Sequence, residues 1–326
     1  MDAHEELVLR LAAKRRQKLG LSDSGYAELL LAVRTNPSQF VEDAQDQAYV
    51  DLGRALARYD RSCDDDDLRD DDEFEQARNA RLATMASDCD KILSADPTCT
   101  DARLLGAIAR YPSDPDSLLD ALDEAEREED ERHPVDLGQL PKGQDAWVDV
   151  TLRPRLRLMA CRARTCLESA RYRQALAEAE RLLGLAPSDF EGARHTCALA
   201  LARLEDEAGF DALEQRLSRH GDSWVELSRL ILLFKLGRTG AARRALRGYD
   251  SLVEGGTYAL LRPVYVDAYM PDRPQADPYS FPEATIAVYE ADPIIMDVPG
   301  LPQWVDAQPG MHDKAERFAE ENGLDW

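Results

Sequence analysis

The chain lacks a long hydrophobic run, and its N-terminal residues lack the features of a secretion signal. The clearest apolar run, residues 230–234, is five residues long and is flanked by Arg229 and Lys235. A membrane-spanning helix needs about 18 apolar residues. The N-terminal segment MDAHEELVLR is acidic and has no apolar stretch ahead of a small-residue cleavage site. We therefore expect no membrane partner, no signal peptide and a cytoplasmic location.

Cysteine is scarce, with six residues and no CxxC pair. This spacing predicts no disulfide framework and is typical of small buried apolar residues in a reducing compartment. A zinc site formed by His195, Cys197, Cys161 and Cys166 is the alternative. Because Cys161 and Cys166 are five positions apart, a helix separates them by about 140°. We therefore predict no metal and no cofactor.

Positive charge is also scarce. The chain has 40 Lys and Arg residues against 63 Asp and Glu residues, which gives a formal net charge of −23. A surface of this sign repels phosphate backbones, so we expect no nucleic-acid partner. The densest acidic stretch, residues 64–73, reads DDDDLRDDDE, and its like charges predict a flexible, solvated loop. A calcium loop is the alternative, but the glycine that its tight turn requires is missing.

Apolar residues recur at helical spacing along almost the whole chain, and alternating runs of β-branched residues are absent. The buried stripe of one predicted helix consists of Phe40, Ala44, Ala48, Leu52, Ala55 and Leu56. Further helices are predicted over 74–95, 99–110 and 114–132, and the first two end at proline-containing pairs. The pattern predicts an all-α fold.

Three segments after residue 150 repeat a pattern of two apolar helices separated by a short turn. Small residues on both helices allow close antiparallel packing, an aromatic follows the turn, and a proline ends the unit. In the first unit these residues are Met159, Ala163, Cys166, Ala170, Arg171, Tyr172, Ala175, Ala179 and Pro187. The second unit begins at Asp189 and the third near Ser223. This period is typical of tetratricopeptide repeats, which have about 34 residues.

Residues 147–214 resemble bacterial tetratricopeptide proteins related to the suppression-of-tumorigenicity-seven family. The resemblance depends on Arg153-Pro154, on the turn at 170–172 with Ala175-Leu176, and on APSDFEGAR at 186–194. The tail is similar to the closing module of that family through GTYALLRPVYV (256–266), PEATIAVYEAD (282–292) and VPGLPQWV (298–305). The resemblance implies an α-α superhelix of tetratricopeptide-like hairpins with a C-terminal capping module. It implies no established activity.

These boundaries predict six consecutive parts of the chain. Proline and glycine mark the linker, and the aromatic tail is expected to cover the open end of the repeat stack. The parts are an N-terminal helical segment (1–60), an acidic flexible loop (61–73), degenerate helical hairpins (74–132), a linker (133–144), tetratricopeptide-like repeats (145–255) and C-terminal capping helices (256–326).

A cluster of arginines lies within residues 153–173. Seven arginines and one glutamate give this stretch a charge of +6 in an acidic chain. Clustered guanidinium groups on a groove suit a carboxylate or an acidic peptide, because each can form two parallel charge-assisted bonds. Three of them share a helix face and a fourth takes a similar place one repeat later, so the predicted partner-binding residues are Arg153, Arg157, Arg164 and Arg194. The alternative is that these arginines pair with the chain's own acidic helix at 114–131.

Catalytic motifs are absent from the sequence, which has no GxSxG, P-loop or HExxH pattern. We therefore predict that the chain is not an enzyme. The leading hypothesis is a protein- or peptide-binding scaffold that holds an acidic segment on the concave face of its helical array. The alternative is a regulatory or assembly subunit whose array forms an oligomer, and an enzyme is the third hypothesis. The sequence leaves the oligomeric state and the partner's identity open.

Overall fold

The computed structural model describes residues 2–132, 144–217 and 221–326. Across these ranges the chain forms sixteen α-helices and no β-strand, which confirms the all-α prediction. None of the helices in these ranges combines the length and the apolar character needed to cross a membrane. The predicted linker at 133–144 lies almost entirely outside the described residues.

Short connections join most of the helices. The first six are α1 (Ala3–Leu19), α2 (Asp23–Thr35), α3 (Ala44–Cys63), α4 (Asp71–Ala95), α5 (Thr100–Arg110) and α6 (Pro115–Arg132). The next six are α7 (Arg153–Glu168), α8 (Tyr172–Leu185), α9 (Ala193–Leu204), α10 (Glu207–Arg216), α11 (Ser223–Lys235) and α12 (Thr239–Leu252). The last four are α13 (Gly256–Leu261), α14 (Phe281–Met296), α15 (Gly300–Asp306) and α16 (Met311–Asn322).

The acidic stretch at 64–73 contains more regular structure than its charge predicts. Asp66–Leu68 form a 3-10 helix, and the acids at 71–73 form the first turn of α4. The side chain of Asp70 caps α4 by accepting a hydrogen bond from the Glu73 amide at 2.9 Å. Carboxylates at a helix N-terminus are stabilised by its free N–H groups and by the helix dipole. The favourable helix start therefore offsets part of the repulsion that predicts a flexible loop.

The chain divides into two compact units. Unit 1 consists of Met1–Leu158 and Ala268–Asp272. Unit 2 consists of Met159–Asp267 and Arg273–Trp326. The boundary near residue 158 falls within α7, so this helix contributes residues to both units.

Unit 1 is built from helices that pack against their neighbours along the chain. α1 packs against α2 and α3, α3 against α4, α4 against α5, and α5 against α6. The core shared by α3, α4 and α5 includes Leu52, Met85 and Leu105, which are fully buried. Burial of such side chains supplies about 1.5–3 kcal/mol each. The apolar residues whose helical spacing predicts helices over 74–95 and 99–110 are the residues that α4 and α5 contribute to this core.

Three helix pairs follow one another along the chain, and all of them except the first six residues of α7 lie in unit 2. α7 and α8, α9 and α10, and α11 and α12 are each joined by two or three residues. α9 packs against α8, α10 and α11, while α11 packs against α12 and α14. Ala175 and Ala179 on α8 and Ala198 on α9 are fully buried. Side chains of this size let neighbouring helix backbones approach closely.

The three turns within these pairs share one backbone geometry. Each contains one residue with positive φ, namely Ala170 at 61°, Glu205 at 60° and Gly237 at 68°. In each turn the following amide donates to the carbonyl five positions earlier: Arg171 to Cys166 at 2.7 Å, Asp206 to Leu201 at 3.1 Å and Arg238 to Leu233 at 3.0 Å. This is the Schellman arrangement, which often ends a helix. Here it recurs after 35 and 32 residues, and a new helix follows at once.

The C-terminal helices extend unit 2. α13 packs against α12, α14, α15 and α16. Tyr258 lies 5.9 Å from Phe281 and 5.7 Å from Phe318 between ring centroids, and Trp326 lies 6.2 Å away. The aromatic residues of the tail therefore form an apolar cluster with α16.

Candidate functional site

Arg157 lies in the interior of unit 1, where it is 1% exposed. Its Nη1 donates to Glu6 at 3.0 Å and to Oδ2 of Asp101 at 3.1 Å, and its Nε lies 3.2 Å from Oδ1 of Asp272. Burial opposes the charge of Arg157, but Asp101, Glu6 and Asp272 raise its pKa, so it stays protonated. The guanidinium is occupied by carboxylates of its own unit.

Two carboxylates beside Arg157 differ in the net direction of their pKa shifts. Burial raises the pKa of Asp101 despite the nearby arginines. Burial also tends to raise the pKa of Glu6, but the hydrogen bonds and positive charges of Arg157 and Arg10 lower this pKa overall. Arg10 itself donates to Oε1 of Glu6 at 2.8 Å. The cluster is thus a buried ionic network in which each charge depends on its partners.

Arg153 lies at the start of α7 in unit 1. Its Nε donates to the carbonyl of Trp147 at 2.9 Å, and its guanidinium lies 5.0 Å from the centre of the Trp147 ring. Burial lowers the pKa of Arg153. Arg155 pairs with Asp130 on α6, which is the intramolecular contact that the alternative interpretation expects of the arginine cluster.

Arg164 and Arg194 lie in unit 2. Arg164 is 3.8 Å from a carboxylate oxygen of Glu191. Arg194 pairs with Asp189 at 2.7 Å and with Asp222 at 2.9 Å. The four arginines predicted from the sequence are therefore placed in two different units, and each has a carboxylate nearby. Their role in binding a partner stays a prediction.

A polar network surrounds His195 on α9, which is buried. Its Nε2 lies 3.0 Å from Oδ2 of Asp222, and its ring stacks on Trp224 with 3.9 Å between ring centroids. Burial lowers the pKa of His195 and outweighs the opposite influence of Asp222, so the ring is neutral at pH 7. Burial opposes ionisation of Asp222 as well, but His195, Arg194 and a backbone amide hold its pKa well below the usual value.

Arg273 completes this network. Its Nη1 donates to the carbonyls of Glu191 and Gly192 at 2.8 and 3.0 Å, and its Nε donates to Glu290 at 2.7 Å. Gly192 has φ +65°, and a Cβ at this position would lie 2.2 Å from Nη1 of Arg273 and 2.9 Å from Nδ1 of His195. The segment before α9 thus has glycine where no side chain fits.

A histidine paired with an aspartate can act as a general base only if a substrate reaches its other nitrogen. Nδ1 of His195 is buried and has no hydrogen-bond partner among the described residues. The backbone of Gly192 lies close to that nitrogen, because a Cβ at this position would be 2.9 Å from it. These contacts join the 186–194 segment to α11 and α14, which is a structural role.

Metal ligands and thiols are the remaining candidates for a chemical site in the described ranges. No group of three or more His, Cys, Asp or Glu residues there is arranged to hold a metal ion. The six cysteines are free thiols, and all except Cys63 are buried. Burial raises the pKa of Cys89, Cys99 and Cys197 to about 12. These three thiols are therefore protonated at neutral pH, whereas the thiolate is the reactive form.

A groove in unit 2 is a candidate binding site that is open to solvent, unlike the buried networks of Arg157 and His195. We name it the α12 groove; its volume is about 460 Å³, and its lining residues are Arg243, Leu246, Arg247, Ala307, Gln308, Pro309 and Met311. Leu246 and Met311 are buried beneath the groove, whereas Ala307, Pro309 and both arginines are exposed. The site combines two cations with an apolar surface, and binding pockets commonly combine such surfaces.

Arg243 is held in place within the α12 groove. Its Nε donates to Oε1 of Gln308 at 2.8 Å. The amide nitrogen of Gln308 donates in turn to the carbonyl of Trp304 at 2.9 Å. Gln308 is buried and both polar atoms of its side chain are hydrogen-bonded, so its orientation is fixed. The other two guanidinium nitrogens of Arg243 form no hydrogen bond with the described residues and can donate to a ligand.

The sequence prediction did not include this site. The available signal was three arginines at 243, 244 and 247 with only Asp250 as an acid on the same helix. Asp250 pairs with Lys314 and accepts from Thr257, so it does not neutralise the groove. The residues that form the other wall lie some sixty positions later, at 307–311, and no local pattern connects them to α12.

No protein-family model, curated protein or solved structure matches this chain.

Proposed function

We propose that the chain is a protein-binding scaffold of the tetratricopeptide type, in which stacked helical hairpins form an α-α superhelix. The observation that carries the proposal is the identical turn at Ala170, Glu205 and Gly237. Schellman ends are common on single helices. Their return at intervals of 35 and 32 residues, each followed at once by a second helix, is what a repeat of about 34 residues requires.

The packing partners of α9 support this proposal. α9 contacts α11, so the first helices of the second and third pairs are neighbours. α8 also contacts α9, which joins the first pair to the second. In a repeat stack each unit contacts its neighbours in this way and the array presents an extended surface to partners. On this account α13–α16 act as the capping module, because α14 packs against α11 and Trp304 of α15 lies 5.1 Å from Phe234 of α11 between ring centroids.

Isolation of the native complex tests the proposal. The full chain, tagged and expressed in its native host, is purified gently and its mass is measured by native mass spectrometry. We expect a species heavier than the 36.5 kDa chain that contains a second polypeptide in a fixed ratio. Integer multiples of the chain mass alone would instead favour the oligomeric assembly subunit, and a monomer alone would contradict both hypotheses.

A further inference from the structure

We propose that the α12 groove binds an acidic peptide segment of a partner protein, with carboxylates on Arg243 and Arg247 and an apolar side chain against Ala307 and Pro309. This inference rests on the proposed function, because it assigns the scaffold one contact site and the chemical class of its partner. It concerns different residues from the arginines that the sequence singled out.

Charge complementarity selects the occupant. The groove carries two exposed arginines on a chain whose formal net charge is −23. Neither an acid nor another side chain is paired with Arg247 in the described residues, and Arg243 is bonded only to the neutral Gln308. A desolvated carboxylate gains most from a guanidinium that is already oriented, because little side-chain freedom is lost on binding. Gln308 supplies that orientation for Arg243.

The start of α16 adds to the positive potential. Met311 lines the groove and is the first residue of this twelve-residue helix, which has no side-chain cap. Free N–H groups at a helix N-terminus attract anions. None of the carboxylates on α15 and α16 lines the groove, and Asp306, on α15, pairs with His312 at 2.8 Å. The cationic character of the site is therefore retained.

The size of the groove and its exposed apolar residues, Ala307 and Pro309, indicate a peptide and not a free anion. A volume of about 460 Å³ is in the range of pockets that hold small ligands or side chains, roughly 300–1,000 Å³. A small inorganic anion leaves Ala307 and Pro309 exposed to water. A peptide with acidic residues on both sides of an apolar residue covers these two residues and reaches both arginines.

Fluorescence anisotropy tests the assignment with a defined probe. The probe is a short fluorescein-labelled peptide of glutamates with one central leucine, titrated with the full-length chain. Two comparison peptides replace every glutamate with glutamine or the leucine with serine. We expect saturable binding of the first peptide, at least about tenfold weaker binding of the glutamine peptide, and a smaller loss for the serine peptide.

Matched variants locate the site. The double variant Arg243→Glu with Arg247→Glu is expected to weaken binding by at least about tenfold. Arg244→Glu provides the control, because Arg244 is exposed on the same helix but does not line the groove. We expect it to change binding by less than about threefold. If the double variant fails to fold by circular dichroism, Arg247→Gln serves in its place.

Three results would overturn the inference: unchanged binding by the double variant, an equal loss in Arg244→Glu, or equal binding of the glutamine peptide. Preferential binding of a single-stranded oligonucleotide at the groove would also overturn it. These outcomes are separable from the proposed function. A native complex that survives the double substitution leaves the scaffold proposal standing and places its contact site elsewhere.

Discussion

At the residue scale, long-range pairing determines what the arginines near the start of α7 do. Arg157 was predicted from helical spacing as a groove residue, yet its guanidinium contacts Glu6 and Asp101, which lie 151 and 56 positions away. Helical periodicity identifies residues that share a face, but it carries no information about a carboxylate contributed from so far along the chain. The structure favours a stabilising role for Arg157 in unit 1.

Replacing Arg157 with leucine tests that role. The substitution leaves Glu6, Asp101 and Asp272 buried without their shared cation, and removing one partner of a buried ionic group costs about 3–5 kcal/mol. We expect Arg157→Leu to lower the free energy of unfolding by that amount in urea. Arg54→Leu is the control, because Arg54 is 66% exposed and pairs with Asp51, a surface contact worth about 0–1 kcal/mol. Similar losses in the two variants would contradict the buried network.

Two glycines with nearly the same backbone angle allow a second test. Gly192 and Gly237 have φ +65° and +68°, but only at Gly192 does a new Cβ meet the side chains of Arg273 and His195. Gly237→Ala is expected to cost about 1 kcal/mol through left-handed strain alone. Gly192→Ala is expected to cost at least about 2 kcal/mol more, because overpacking adds to the strain. Equal midpoints in urea unfolding would show that the clash is relieved at no cost.

At the element scale, much of the fold is predictable from local pattern. The helices predicted over 74–95 and 99–110 correspond to α4 and α5, and the predicted turn at 170–172 overlaps the connection between α7 and α8. Such elements follow from apolar spacing, caps and proline positions, all of which are local. The α12 groove and the His195 network were not predicted, because their walls come from elements separated by dozens of residues. Charge clustering in the sequence indicated where arginines gather but not which of them stay exposed.

The contacts of buried His195 on α9 with Asp222 and Trp224 predict that the stability of the fold depends on pH. An unfolded histidine takes up a proton below about pH 6.5, whereas burial lowers the pKa of His195 in the folded chain. The unfolded state then binds more protons, so stability falls as the pH drops below about 6.5, by at most about 1.4 kcal/mol per pH unit. We expect urea midpoints at pH 7.5 and 5.5 to show this loss in the wild-type chain.

A pair of histidine variants isolates the contribution of His195. His195→Gln is expected to reduce the loss between pH 7.5 and 5.5, whatever its effect on absolute stability. His312→Gln is expected to retain it, because the hydrogen bond to Asp306 raises the pKa of His312 and gives a contribution of opposite sign. If His195→Gln kept the full wild-type loss, the buried ring would not be its source.

At the scale of the whole molecule, we propose that an acidic protein binds its partner at a cationic groove on a stack of helical hairpins. Electrostatic attraction between the α12 groove and an acidic partner is screened by salt, with a Debye length of about 10 Å at 0.1 M. We expect the dissociation constant of the native complex, measured by surface plasmon resonance, to rise between 0.05 and 0.3 M salt, by up to about tenfold. Insensitivity to salt would indicate an apolar contact surface instead.

The central claim is that unit 2 binds a partner protein on its hairpins and at the α12 groove. Hydrogen–deuterium exchange of the purified native complex against the free chain tests it most directly. The account predicts slower exchange in α12 and in the segment 307–316, together with at least one other helix of the α7–α11 set. The claim would be contradicted by a complex whose protected amides all lie in unit 1. It would also be contradicted if no co-purifying protein slowed amide exchange anywhere in the chain.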